Sequence, residues 1–170
     1  YEEIRREYRK SYKSLINGGA RFWNIQILDG NFKEVWKEFK YLHEEVSGRK
    51  TRSSETWEIQ RAHLESGSSV FIYLRNESGI MVGGGIFNLS KHEAIYAVGA
   101  YKRELFDKPL GHLVQDEAIK LFIEKGISKY KIGNRPYKNI EPIPSEKELS
   151  IADFKQGFGA QLFLETVLVL

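Results

Sequence analysis

The chain has 170 residues, enough for one domain with a sizeable core. Its 41% hydrophobic and 13% aromatic content excludes a disordered chain. The net charge of +3, from 26 basic and 23 acidic residues, is too small to argue for nucleic acid by itself. The lack of cysteine excludes disulfides, thiolate metal sites and a cysteine nucleophile, and it fits a reducing, cytoplasmic location. No apolar run approaches the ~20 residues of a membrane span, and the opening residues do not read as a signal peptide. The chain starts at Tyr1 and ends in the apolar Val167-Leu168-Val169-Leu170, so residues 1–170 read as a single domain from a longer protein.

Residues 2–16 place Ile4, Tyr8, Tyr12, Leu15 and Ile16 on one helical face, and Gly18-Gly19 ends that helix. Its Arg5, Arg6, Arg9, Lys10 and Lys13 read either as a phosphate-holding cluster or as a solvated face balanced by Glu2, Glu3 and Glu7. Trp23, Ile25 and Ile27 alternate as a strand, and Asp29-Gly30-Asn31 turns. Asn31 then caps a helix with buried positions Phe32, Val35, Trp36, Phe39, Leu42 and Val46. A polar, basic loop carries Arg49, Lys50 and Arg52, and a helix over 55–66 turns Trp57 and Leu64 inward.

Three strands with tight turns follow, over 70–75, 80–89 and from Glu93, forming an antiparallel meander. Gly83-Gly84-Gly85 in the second strand predicts a bulge, a close backbone approach by a ligand, or a small-residue packing site. In the third, Ala94, Tyr96, Val98 and Ala100 alternate with Ile95, Ala97, Gly99 and Tyr101. Asp107 and Pro109 mark a helix start, and Leu110, Leu113, Val114, Ala118, Leu121 and Phe122 recur at helical spacing up to Gly126. A short strand with Tyr130 and Ile132 comes next. Two strands joined by a crossover helix are parallel neighbours, so the helix start near Leu110–Leu113 points its free N–H groups beyond the first strand's end, where an anion is attracted. A long polar loop over 134–150, a short helix over 151–159 and a last strand over 160–170 complete the reading.

The order of elements resembles the GNAT acyltransferase fold: an α/β arrangement with a mixed, mostly antiparallel sheet, a splayed central parallel pair and flanking helices. The residues narrow the resemblance to the FemAB-type branch, the peptidyltransferases of cell-wall synthesis and their relatives in polysaccharide gene clusters. Arg9-Lys10-Ser11-Tyr12-Lys13 is similar to that family's basic helix before its second domain. Tyr96-Ala97-Val98-Gly99-Ala100 is similar to its Tyr-Gly-Ala-Ser strand end, and Leu110–Ala118 to its helix. Gly126–Gly133 resembles its Gly-x-x-x-Tyr-Asp-Leu-Gly strand. Phe154-Lys155-Gln156-Gly157-Phe158-Gly159 resembles its Phe-Lys-x-Gly-Phe-Gly signature. Two departures stand out. Peptidyltransferases of the family carry two such domains, whereas one is present here and looks like the second. CoA-using relatives show Arg/Gln-x-x-Gly-x-Gly/Ala at the helix start, whereas Lys108-Pro109-Leu110-Gly111-His112-Leu113 ends in leucine.

The resemblance implies an acyl- or aminoacyltransferase acting on an amine of a cell-envelope or polysaccharide precursor. An acetyl-CoA-dependent N-acetyltransferase and a non-catalytic binding or dimerisation module are the alternatives. The implied acyl donor is aminoacyl-tRNA or acetyl-CoA. The expected partners are a small amine acceptor such as a nucleotide sugar, with tRNA and a second copy as further partners. Lys155 is implied to stabilise developing charge, the alternative being a solvent-exposed lysine on a short helix; Tyr101, at the strand end, can protonate a leaving group or serve as a core or rim aromatic; His112, held neutral by the helix dipole, can act as a base or pack. Lys108, Leu110, Gly111, His112 and Leu113 form the donor's cradle. Arg49, Arg52, Tyr96, Arg135, Tyr137 and Phe154 are the acceptor-binding candidates, with Phe154 and Phe158 also readable as packing. The four scattered histidines give no metal-ligand spacing, and no metal is expected.

Overall fold

The structure, a computed structural model, describes residues 1–28 and 32–164. Two helices open the chain, α1 (Glu2–Arg6) and α2 (Lys10–Gly19). They are followed by β1 (Asn24–Ile27), α3 (Phe32–Ser47) and α4 (Ser54–Glu65). The meander is β2 (Ser69–Arg75), β3 (Met81–Leu89) and β4 (Glu93–Tyr101). A 3₁₀ turn at Arg103–Leu105 leads to α5 (Gly111–Glu124), β5 (Lys129–Lys131) and α6 (Glu146–Gln156). The sheet order is β1-β2-β3-β4-β5, antiparallel throughout except for the parallel β4–β5 pair. That pair is joined only from Glu93↔Lys129 to Ile95↔Lys131. From Tyr96 onward β4 continues with no β5 partner, which leaves the parallel pair open at that end.

Strand alternation splits the core in two. Ile72, Leu74, Val82 and Phe87 point to α2 and α5, while Phe71, Tyr73, Met81 and Ile86 point to α3 and α4. Phe39 and Phe71 are fully buried on the second face, each contributing ~1.5–3 kcal/mol by burial. In β4 the alternation changes phase. Phe87 pairs with Tyr96 and Ile86 with Val98, so Ala97 is an extra, bulged residue. Ala94 and Tyr96 therefore face α5, and after the bulge Val98 and Ala100 face α3 while Tyr101 turns back to the α5 side. A simple alternation of Ala94, Tyr96, Val98 and Ala100 on one face is thus corrected.

Three other expectations change. The helix over 2–16 is two helices, broken where the Arg9 N–H donates to the Gly157 carbonyl and Gly159, at φ +75°, packs against Glu7. A contact distant in sequence overrides a good helical pattern. The loop over 134–150 ends early, because Ser145 and Glu148 form a reciprocal capping box that starts α6 at Glu146, not at 151. Residues 160–164 are not in a strand, and the rest of the expected last strand lies outside the described residues. So does the Asp29-Gly30-Asn31 turn with its Asn31 cap. Gly83-Gly84-Gly85 is a packing site. A Cβ at Gly83 would overlap the Tyr101 ring, one at Gly84 would lie 2.7 Å from Phe71, and one at Gly85 3.0 Å from Tyr96.

Candidate functional site

Beyond the paired stretch of β4 and β5, Tyr96 and Tyr101 of β4 meet each other, Phe154 of α6 meets Gly111 and His112 of α5, and Lys155 of α6 meets Gly133 just past β5. The bulge at Ala97 brings the two tyrosines to the same face although they are five residues apart, an odd separation that a regular strand would split. Their hydroxyls lie 3.2 Å apart. Gly99 between them makes this possible: a Cβ there would overlap the Tyr96 hydroxyl and come within 2.7 Å of its Cζ. Burial pushes both phenols up, Tyr101 well up, so both stay protonated at neutral pH.

Lys155 is half-buried, and its Nζ lies over Gly133, where a Cβ would collide with it. Among the described residues no carboxylate or carbonyl pairs with this ammonium, and desolvation lowers its pKa. Phe154 packs its ring 3.1 Å from where a Gly111 Cβ would stand. A methyl at Gly111 would therefore crowd the Phe154 ring.

The expected donor cradle is only partly formed. Leu110 and Leu113 are core residues, and the Leu113 N–H is bonded to the Leu110 carbonyl at 3.2 Å. Only the N–H groups of Gly111 and His112 lack an acceptor among the described residues. Lys108 turns away, its Nζ 5.3 Å from the Phe22 ring centroid and 5.6 Å from that of Trp23. His112 is enclosed by Tyr12, Phe154 and Phe158, with ring centroids 4.4, 5.0 and 6.3 Å away. Burial pushes it down to about 4, so it is neutral but a very weak base.

Of the basic acceptor-binding candidates, Arg52 donates to the carbonyl of the bulged Ala97 at 3.1 Å and lies over Trp57, on the α3–α4 side of the sheet. Arg49 is exposed in its loop. Arg135 is tied to Gln156 and Asp153 of α6, and Tyr137 is exposed on the connection beyond β5. The basic groups of the first helices are engaged locally: Arg5 with Asn17, Lys13 with the Arg6 carbonyl and Arg9 over Tyr12. Two surface concavities, of 660 and 350 Å³, flank Phe22–Trp23 at the far edge of the sheet, and none of the residues of the opening lines them.

Gln115 escaped the sequence reading. It sits mid-helix at 1% exposure, where its Oε1 accepts from the Tyr130 hydroxyl of β5 and its Nε2 has no partner. The available signal was a glutamine and an aspartate, Gln115 and Asp116, within an otherwise apolar helix face. Asp116 has a structural duty: it accepts from Tyr1 Oη at 2.6 Å and pairs with Lys120 at 2.8 Å, fastening α1 to α5. Among the described residues no group of histidine and acidic side chains can hold a metal ion, and no helix is long and apolar enough to cross a membrane.

No family model matches the chain, and no curated protein matches it. Solved structures do. The aminoglycoside acetyltransferase meta-AAC0020 from an uncultured soil metagenomic sample, solved with sisomicin, is 15% identical, with a TM-score of 0.66 over 89% of this chain and 98% of that one. FemX is 15% identical, with a TM-score of 0.70 over 93% of this chain and 55% of that one. AAC(6')-Iy, solved with a CoA bisubstrate analogue, is 10% identical, with a TM-score of 0.63 over 86% of this chain and 97% of that one. At such identities the likeness is one of fold: the mixed sheet with its parallel β4–β5 pair and flanking helices is that of the GNAT acetyltransferases.

Proposed function

We propose that the chain is an N-acyltransferase of the FemAB-like kind, moving an acyl or aminoacyl group to an amine of a cell-envelope or polysaccharide precursor. The observation that carries the reading is the half-buried Lys155 ammonium over Gly133, just past β5, which pairs with no carboxylate or carbonyl among the described residues. An ammonium without a counter-charge in a partly dry site favours a carbonyl oxygen that becomes negative during acyl transfer. Tyr101 stays protonated and supplies an acid for the leaving group, while His112 at about 4 is too weak to serve as the base near neutrality. Burial lowers the pKa of Lys155 from its ordinary 10.5. The incoming amine enters neutral and loses its proton to solvent.

Acetyl-CoA is the donor in the second reading, which the structural likeness to acetyltransferases supports equally. Its pyrophosphate would rest on the Gly111 and His112 N–H groups, with Leu113 engaged internally and Lys108 turned aside. That incomplete cradle favours the aminoacyl donor, and no step here passes through CoA. Incubating the chain with labelled acetyl-CoA or labelled aminoacyl-tRNA, each with amino-sugar and peptide amines, separates the two. Transfer from aminoacyl-tRNA, with binding that weakens steeply as salt rises, is the expected result. Transfer from acetyl-CoA alone replaces it with the second reading. Label reaching no amine from either donor defeats both.

A further inference from the structure

We propose that Tyr12 of α2 is a positioning residue for Lys155: the bond from its hydroxyl to the Phe154 carbonyl fixes the last turn of α6, and with it the ammonium over Gly133. Only the use made of the ammonium rests on the acyl-transfer reading; the anchoring stands on geometry. Two motifs far apart in the sequence meet here. Arg9-Lys10-Ser11-Tyr12-Lys13 spans the start of α2, and Phe154-Lys155-Gln156-Gly157-Phe158-Gly159 spans the end of α6. The carbonyls in the last turn of a helix lack partners within it, and here α2 supplies donors. Tyr12 Oη donates to the Phe154 carbonyl at 3.1 Å, Arg9 Nη2 reaches the Asp153 carbonyl at 3.4 Å, and the Arg9 N–H donates to the Gly157 carbonyl at 2.8 Å.

The helix depends on this end. Among the described residues of α6 only Ala152 is buried, so packing along its length holds it weakly. Arg135 ties it to the connection beyond β5 through Gln156 and Asp153, but that tie is exposed and screened by salt. The guanidinium contact of Arg9 is likewise exposed and long. Tyr12, by contrast, is 6% exposed, and its bond is shielded from competing water. Its ring lies against His112 and Phe158, with centroids 4.4 and 5.1 Å away, and a Cβ at Gly157 would collide with it. The bonded carbonyl belongs to the residue directly before Lys155, so freeing it lets the last turn shift and carries Nζ away from Gly133. Tyr12 touches no reacting atom.

The anchoring is read without any turnover. The chain is labelled with ¹³C at lysine Cε, the Lys155 signal is assigned with Lys155→Met, and it is titrated. Tyr12→Phe keeps the ring and removes the hydroxyl. It is expected to move the Lys155 titration back toward the ordinary 10.5 while Tm changes little. Tyr8→Phe is the control: Tyr8 packs on Phe158 in the same cluster, but its hydroxyl bonds to nothing in α6, and the Lys155 curve should stay in place. A Lys155 curve unmoved in folded Tyr12→Phe, or moved equally by Tyr8→Phe, makes Tyr12 a packing residue and overturns the proposal. If Tyr12→Phe does not fold, Gly157→Ala replaces it. The backbone there, at φ −62°, accepts alanine, while the methyl pushes the Tyr12 ring off α6, and an unmoved curve overturns the proposal equally. With an active parent, kcat of Tyr12→Phe is expected to fall roughly 10-fold with KM unchanged, less than the 10²–10³-fold of losing an oxyanion partner outright. A kcat within twofold of that parent also overturns it. An inactive parent chain counts against the acyl-transfer reading alone, because the titration still decides the anchoring.

Discussion

The two faces of the sheet are built to different rules. The face under α3 and α4 is sealed by aromatic packing: Phe39 on Phe71, Trp36 on Trp57 and Phe71 on Tyr73, with centroids 4.5, 5.4 and 5.0 Å apart. The face under α5 also has a core, but Gln115 and Asp116 are buried in it, Tyr96, Tyr101 and Tyr130 are partly buried in it, and glycines replace side chains on β3 and β4. One face supplies rigidity. The other spends part of its packing on polar groups whose partners are incomplete. Under the acyl-transfer reading proposed above the α5 face is the working one, because an ammonium and an amide left without partners among the described residues are costs that stability alone does not explain.

Substitutions should therefore separate stability from activity according to face. Phe71→Ala removes a fully buried ring from the sealed face and should cost ~3–5 kcal/mol, the usual loss for such a truncation. Urea unfolding would read it, with transfer per folded molecule nearly unchanged. On the other face, Lys155→Met should lower kcat by about 10²–10³-fold, the scale of losing one oxyanion partner. It should leave Tm unchanged or slightly raised, since a desolvated ammonium without a counter-charge is removed. Normal transfer by Lys155→Met would take this residue out of the mechanism. Gly99→Ala should do both kinds of damage. Its methyl overlaps the Tyr96 hydroxyl, so the ring must leave, at a cost of about 3 kcal/mol, the upper range for overpacking. The released Tyr96 would be seen as a phenol titrating closer to its ordinary range.

Much of the sealed face was legible in the sequence. Phe32, Trp36, Phe39 and Leu42 repeat at helical spacing, and the strand alternation of Phe71 and Tyr73 needs only local pattern. The working face was less so, for identifiable reasons. The bulge at Ala97 leaves no local mark, because Tyr-Ala-Val-Gly-Ala alternates equally well without it. Gln115 reads as one polar position on a helix until β5 brings Tyr130 to it. The α1–α2 break depends on Gly157 and Gly159, some 150 residues away. The capping box at Ser145 and Glu148, by contrast, was visible in the sequence and was passed over in favour of the prolines before it. Lys155 and Tyr101 are candidates only through a family signature and a strand end, because nothing in their spacing marks them.

The weakest contrast between the faces is also the one that pH reaches. His112 sits among three aromatic rings at the open end of the α5 face, and burial lowers it from its ordinary 6.5 to about 4. The unfolded chain takes up this proton below pH 6.5, and the native chain does not until about pH 4. Stability from the neutral imidazole is therefore complete above 6.5 and is lost as pH falls through that window. Because the ring is partly open to water, the loss is about 1–2 kcal/mol rather than the full value of the shift. His112→Leu cannot take up the proton, so between pH 7 and pH 4.5 its urea midpoint should fall less than that of the parent. The carboxylates titrate alike in both chains, and their contribution cancels in the difference. Equal falls would mean that the aromatic enclosure does not hold the imidazole neutral, and His112 would return as a candidate base for the incoming amine.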